Sequence, residues 1–210
     1  LAANADDNLV YYCRDKKVYY WIPSSGTHGL VADLAGQIGN NESLSSGGGE
    51  YYAGYIYLGT EAGNPGTSPK IWRLQLSADG KSSVGNPVNL NVPIPSQLSW
   101  GDIIATSEGG HTVIYGMAAA SKSFFFKYNI NTSQYTLIRN DLPTEMQLGV
   151  DIEGNTWAGS LSSGMIQKIN RTNGYFYGNV ISFGGKIWDL TGPINCPQVA
   201  EKCSNAMDDD

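Results

Sequence analysis

The chain has 210 residues, room for one domain with a sizeable core. It is 41% hydrophobic and 11% aromatic but only 15% charged, against roughly 25% in an ordinary soluble domain, with a formal net charge of −6. This excludes disorder; no basic cluster invites nucleic acid or an anionic membrane surface, and no apolar run reaches the roughly 18 residues of a membrane span.

Glycine (26) and tyrosine (13) are abundant, which is the composition of an all-β protein with many turns and half-buried aromatics. Taken in order, short apolar runs bounded by Gly, Asn, Ser and Pro read as strands. Module one, about residues 1–40, reads LAANADDN, LVYYC, KVYYWIP and LVADLAG. A polar Gly/Ser linker follows. Module two, about 47–95, reads EYYAG, YIYLGTE, KIWRLQLS and PVNLNVP, the last an outer strand because proline lacks an N–H. Module three, about 98–142, is the clearest: GDIIAT, TVIYGMAA, SFFFKYNI and YTLIRN with tight turns between. Module four, about 146–183, reads QLGVDIEGN, TWAGSLS, MIQKINRTNG and YFYGNVISF.

Four strands in about 40 residues is the size of one β-propeller blade. In each module the third strand ends in a polar turn, and the second carries an aromatic beside a small residue. The expected fold is therefore an all-β propeller of four-stranded antiparallel blades over residues 1–194, with a β-sandwich as the alternative. No helical period is sustained. The stretch 184–192, GGKIWDLTG, reads as a fifth first strand without a blade, and Lys186, Ile187, Trp188, Asp189 and Leu190 are its candidate assembly residues. An open strand edge recruits another strand, and head-to-tail pairing between copies makes rings or filaments.

The chain begins at Leu1 with no initiator Met or signal peptide, within what reads as a repeat, so a processed segment is expected. Asn41, Asn131 and Asn170 each open an N-x-S/T sequon, the last two in the same turn of successive modules. With low charge, many tyrosines and an expected Cys196–Cys203 disulfide in the acidic tail, 195–210, these favour a secreted or cell-surface setting. Cys13 is then odd, either buried in its strand or paired elsewhere.

Catalytic signals are weak. His28 and His111 sit beside glycine in turns, and no G-x-S-x-G elbow occurs. Glu50 and Glu61 have no fixed separation for glycoside chemistry. Tyr11, Tyr12, Tyr19, Tyr20, Trp21, Tyr51, Tyr52, Tyr55, Tyr57 and Trp72 fill blade interfaces or, where they point outward, offer a stacking platform to a glycan or protein.

DIEGNTW resembles the Asp-x-x-Gly-Asn-x-Trp turn of many bacterial propeller repeats. The wider pattern resembles an uncharacterised propeller-like domain of large bacterial and algal surface proteins, which implies location more than chemistry. The tail EKCSNAMDDD resembles the start of extracellular Asp-rich metal-binding repeats; the resemblance implies Asn205, Asp208, Asp209 and Asp210 as Ca²⁺ ligands. Asp102, Asp151 and Asp189 stand on or beside first strands, where lactonase-type propellers hold Ca²⁺ and polarise a substrate carbonyl. Otherwise no cofactor is expected. The first reading is a non-catalytic, self-assembling module of an extracellular fibre or cell-surface glycoprotein, with self, another extracellular protein or a glycan as partner. A carbohydrate- or protein-binding propeller is the second reading and a Ca²⁺-dependent hydrolase the third.

Overall fold

Residues that alternate between two faces, joined by turns that glycine or asparagine permits, make antiparallel hairpins. In the computed structural model, which describes residues 2–39, 42–44, 48–62, 69–94, 99–119, 121–187 and 190, four such meanders follow one another. Blade one comprises β1 (Ala2–Asn4), β2 (Leu9–Arg14), β3 (Lys17–Ile22) and β4 (Thr27–Asp33). Blade two comprises β5 (Glu42–Ser43), β6 (Gly49–Tyr52), β7 (Tyr55–Ala62), β8 (Lys70–Gln75) and β9 (Val88–Asn89). Blade three comprises β10 (Ser99–Glu108), β11 (His111–Ala119), β12 (Ser123–Asn129) and β13 (Gln134–Leu142), and blade four β14 (Met146–Val150), β15 (Thr156–Ser160), β16 (Met165–Ile169) and β17 (Phe176–Ser182). Each sheet is antiparallel and ordered as in sequence, and together they form a four-bladed β-propeller. Among the described residues there is no helix, and none is long and apolar enough to cross a membrane.

Blade two departs from the simple meander. Its first strand is split: β5 pairs with the far end of β7 (Glu42 opposite Ala62) and β6 with the near end (Tyr52 opposite Tyr55), both along one edge.

Turn chemistry repeats most faithfully between third and fourth strands. Four residues separate Ile22 from Thr27, Ser77 from Ser82, Asn129 from Gln134 and Asn170 from Tyr175. Each turn contains one residue at positive φ: Gly26, Gly80, Ser133 and Gly174. The side chains of Asn129 and Asn170 each accept two backbone N–H groups of the turn that follows. Asn170 is thus the counterpart of Asn129. Asn131 sits in the corresponding turn two positions further on, so the two sequons share a turn at different positions within it.

Each sheet buries a face by stacking on its neighbour, and among the described residues the core divides accordingly into three clusters. Leu9, Tyr11, Val18 and Ala32 of blade one meet Ile56, Leu58, Trp72 and Leu74 of blade two. Tyr57 and Ile71 meet Ile103, Ala105, Ile114 and Phe126 across the second interface. Ile104, Tyr115, Met117 and Phe125 meet Met146, Leu148, Ala158 and Ile169 across the third. A sandwich has one core between two sheets; three serial cores overturn that alternative. Polar links span the same seams. The Tyr11 hydroxyl donates to the Gly80 carbonyl at 3.0 Å, and Tyr128 to the Leu90 carbonyl at 2.9 Å. Arg139 donates to the Gly174 carbonyl at 3.0 Å with its guanidinium 4.6 Å from the Tyr175 ring centre.

Candidate functional site: the outer faces of the end blades

Residues directly opposite in a ladder share a face, so the pairings assign every strand residue to a side. In blade one, the side turned to blade two carries Ala2, Tyr11 and Tyr20 in one row and Cys13, Val18 and Ala32 in another. The other side carries Ala3, Val10, Trp21 and His28, then Tyr12, Tyr19 and Leu30. Its inner half, Ala3 and Val10, is buried; its outer half is open, with Trp21 40% and Leu30 50% exposed. The Tyr12 and Tyr19 rings stack at 5.2 Å on this face.

Blade four mirrors this. Its side toward blade three carries Met146, Leu148, Ala158 and Ile169. Its other side carries Gly149, Trp157, Lys168 and Tyr177 in one row and Gln147, Gly159, Ile166 and Ile181 in the next. Tyr177 is 45% and Ile181 42% exposed. Within the first row the Lys168 ammonium stands 5.2 Å from the Trp157 ring centre.

Third strands show how these two faces differ from the internal ones. Facing a neighbour within the chain, Val18, Ile71, Leu74, Phe125, Phe126 and Ile169 are all fully buried. On the two outer faces Trp21 is exposed and Tyr19 and Ile166 are half-buried. Among the described residues no hydrophobic cluster joins blade four to blade one.

The expected fifth first strand falls here. Lys186, Ile187 and Leu190 are not in a strand. The chain instead turns back over blade four. The Phe183 N–H donates to the Gly164 carbonyl at 2.9 Å, and the Ile187 and Leu190 side chains lie over Gly159, where a Cβ would come within 3.5 Å and 3.0 Å of them. Gly159 leaves a hollow on the outer face, and these two side chains fill it. Trp188 and Asp189 lie outside the described residues, as do Asn41, Cys196, Cys203, Asn205, Asp208, Asp209 and Asp210.

Other expected positions resolve one by one. Asn131 and Asn170 are exposed. The Asn131 side-chain oxygen accepts the Thr112 N–H at 3.0 Å. Asp151 lies just beyond β14 and organises a turn. It accepts from the Glu153 and Asn155 N–H groups at 3.0 and 2.8 Å, the Asn155 amide at 2.8 Å and the Trp157 indole at 2.8 Å. Burial pushes its carboxyl up, and the bonds from Trp157 and Asn155 outweigh that and hold it below the usual carboxylate range. Asp102 lies in β10, fully buried, and its Oδ1 accepts the Ile103 N–H at 2.8 Å. It backs onto Gly48 of blade two so closely that a Cβ there would come within 2.5 Å of it. His28 and His111 lie on strands rather than in turns, both exposed. Burial pushes the Cys13 thiol up to about 11, which makes it a poor nucleophile.

Sequence reasoning missed two acids. Glu42 accepts from the Thr60 hydroxyl at 3.2 Å and the Trp72 indole at 3.3 Å, and pairs with Lys70. Glu108 pairs with Lys127 at 2.5 Å and accepts from the Tyr115 hydroxyl. Arg171 of blade four covers the Tyr115 ring at 5.4 Å and bonds Thr156 at 2.5 Å. The Glu42 cluster ties the strands of blade two together, and the Glu108 cluster, through Arg171, braces the seam between blades three and four. Among the described residues no group of three or more His, Cys, Asp or Glu is placed to hold a metal ion.

No family model matches the chain, and no curated protein matches it by sequence. Solved structures do resemble it. The extracellular domain of a putative one-component system from B. thetaiotaomicron is 14% identical, with a TM-score of 0.51 over 90% of this chain and 24% of that one. U3-55K is 12% identical, with a TM-score of 0.51 over 83% and 46%. A chain of the mitotic checkpoint complex is 12% identical, with a TM-score of 0.50 over 85% and 51%. The chain thus spans about half or less of each of these structures, and at such identities the likeness shows one thing, the β-propeller architecture.

Proposed function

We propose that this chain is a non-catalytic structural module of an extracellular or cell-surface assembly, and that its working interaction is self-association. The observation carrying this reading is the pair of end-blade faces, which present Trp21 and Leu30 on one side and Tyr177 and Ile181 on the other. Scattered exposed apolar residues need no explanation, but an aromatic and apolar set on one sheet face marks an interaction site. N-linked glycans at the exposed Asn131 and Asn170 turns belong to the same reading and leave both faces uncovered, since the turns stand at the ends of strands.

Light scattering across a concentration series, with negative-stain microscopy of the same samples, tests it. Mass rising with concentration is expected. A monomer at every concentration ends the reading.

A glycan ligand is the second reading, favoured by one observation: Trp21 is an exposed ring beside His28 and near the stacked Tyr12 and Tyr19. A glycan array separates the two, with binding that falls in Trp21→Ala as the outcome favouring the sugar.

A further inference from the structure

We infer that the outer part of the seam between blades two and three is a binding site for a sugar that carries a carboxylate, held by Arg73 among tyrosine rings. The site lies between two consecutive blades of the chain. It is separate from the Trp21 face and does not depend on self-association.

The ladders place its residues. On blade two, Glu50, Tyr57, Arg73 and Val88 stand opposite one another in one row, and Tyr52 and Tyr55 in the next. On the facing side of blade three, Tyr128 pairs with Tyr135 and Phe126 with Leu137. Tyr57, Phe126 and Tyr128 are buried in the second core cluster, and Tyr52, Tyr55 and Tyr135 are half-buried against it. Further out, Val88 is 49% and Leu137 44% exposed. The seam is therefore closed at its inner strands and opens at its fourth strands. In each blade the first hairpin and the third-to-fourth turn lie at one end: the Leu76 N–H donates to the Gly54 carbonyl at 2.9 Å, and the Thr112 N–H to the Asn131 side chain at 3.0 Å. Tyr52 and Tyr55 flank that hairpin in blade two and Tyr135 follows that turn in blade three, so three rings gather at the same end of the seam.

Arg73 decides the chemistry. Its guanidinium lies 5.0 Å from the Tyr55 ring centre and beside the Tyr57 hydroxyl, which burial pushes up to about 12 and so keeps neutral. Other half-buried cations of blades two and three are engaged: Lys70 by Glu42, Lys127 by Glu108, and Arg139 by Asp141 and the Gly174 carbonyl. Among the described residues no carboxylate forms an ion pair with Arg73. Glu50 of the same row is buried on the first strand, with Tyr57 between it and Arg73. A guanidinium fork accepts a carboxylate through two parallel N–H bonds. Tyrosine rings cover the apolar face of a sugar while their hydroxyls serve its polar edge. The two together fit an acidic sugar; an acidic peptide would use the fork and leave the ring faces idle.

Isothermal titration of the full chain tests this with trigalacturonate, its methyl ester, sialyllactose, lactose and a hexaglutamate peptide. Trigalacturonate or sialyllactose is expected to bind at least about tenfold more tightly than its uncharged counterpart, and which of them does so identifies the acid as a uronate or a sialate. Arg73→Gln is expected to abolish that preference and Arg73→Lys to restore part of it, since a lysine keeps the charge and loses the fork. Tyr55→Ala should weaken charged and uncharged sugars alike, and Trp21→Ala should change neither. The inference falls if neither acidic sugar binds, if Arg73→Gln binds as wild type does, or if hexaglutamate binds more tightly than both sugars. Loss of binding in Trp21→Ala with Arg73→Gln unaffected moves the sugar to the blade-one face and also overturns it. A wild type that is monomeric yet shows the Arg73-dependent preference ends the self-association reading and leaves this one standing. Circular dichroism checks folding, and Arg73→Lys carries the comparison if Arg73→Gln does not fold.

Discussion

Asp151 uses both carboxylate oxygens on the turn it opens, so its role is local architecture. Asp151→Ala removes four acceptor contacts and is expected to lower stability by about 1–2 kcal/mol, read as a shifted urea midpoint with unchanged slope. The folded carboxyl is held below its ordinary value, so its contribution is present above the unfolded carboxylate range and is lost as pH falls through the folded one. Asp151→Asn should therefore flatten the acid limb of a stability–pH curve, and an unchanged limb would count against the assignment. A second residue-scale expectation concerns Gly116, where a Cβ would come within 2.2 Å of the Phe126 ring. Gly116→Ala should cost about 1–3 kcal/mol by forcing that ring aside. Asp151 was legible in sequence because its partners lie within six residues, in DIEGNTW. Glu42 was not: its partners Thr60, Lys70 and Trp72 lie 18, 28 and 30 residues away, and only the folded sheet brings them together.

Within elements, the four-residue turn between third and fourth strands is the most regular feature. Gly26 and Gly80 both hold positive φ, at 68°, but their surroundings differ. A Cβ on Gly26 meets nothing within 4 Å, whereas one on Gly80 comes within 2.5 Å of the Tyr11 hydroxyl and 2.8 Å of Leu9. Gly26→Ala should cost about 1 kcal/mol, the backbone strain alone. Gly80→Ala should cost roughly 1–3 kcal/mol more, because it also opens the first seam and disturbs the Tyr11–Gly80 bond. Thermal melts of the two variants measure the difference; equal losses would mean that the Gly80 turn is not part of the seam. The strands themselves were readable because alternation and turn residues are local signals. The split first strand of blade two was not, since β5 and β6 are defined by the strand they share rather than by their own short sequences. Lys186, Ile187 and Leu190 misled for a related reason. Their composition is that of a strand, but a strand is made by a partner, and Ile187 and Leu190 instead found the hollow over Gly159.

At the scale of the whole molecule, the blade count and the antiparallel order follow from repetition, whereas which face of an end blade stays open depends on the assembled stack and left no mark in the sequence. The serial cores make the seams the units of stability. Phe126 is fully buried in the second cluster, and Phe126→Ala is expected to cost about 3–5 kcal/mol, while Leu137→Ala on the exposed rim of the same blade should change the denaturation midpoint little.

The division into three serial clusters also sets an order in which the molecule loosens. Among the described residues, hydrophobic clusters grip blades two and three on both sides and blades one and four on one. Local opening should therefore run inward from the ends, as in stacked-repeat proteins, where each unit is stabilised only by its neighbours. Backbone amides of β16 and β17 should exchange with deuterated solvent sooner than those of β11 and β12. A uniform exchange pattern would instead mean that the four blades open as one. The same gradient means that any partner seated on an end blade slows exchange there first, so deuterium uptake in β17 doubles as a meter of face occupancy.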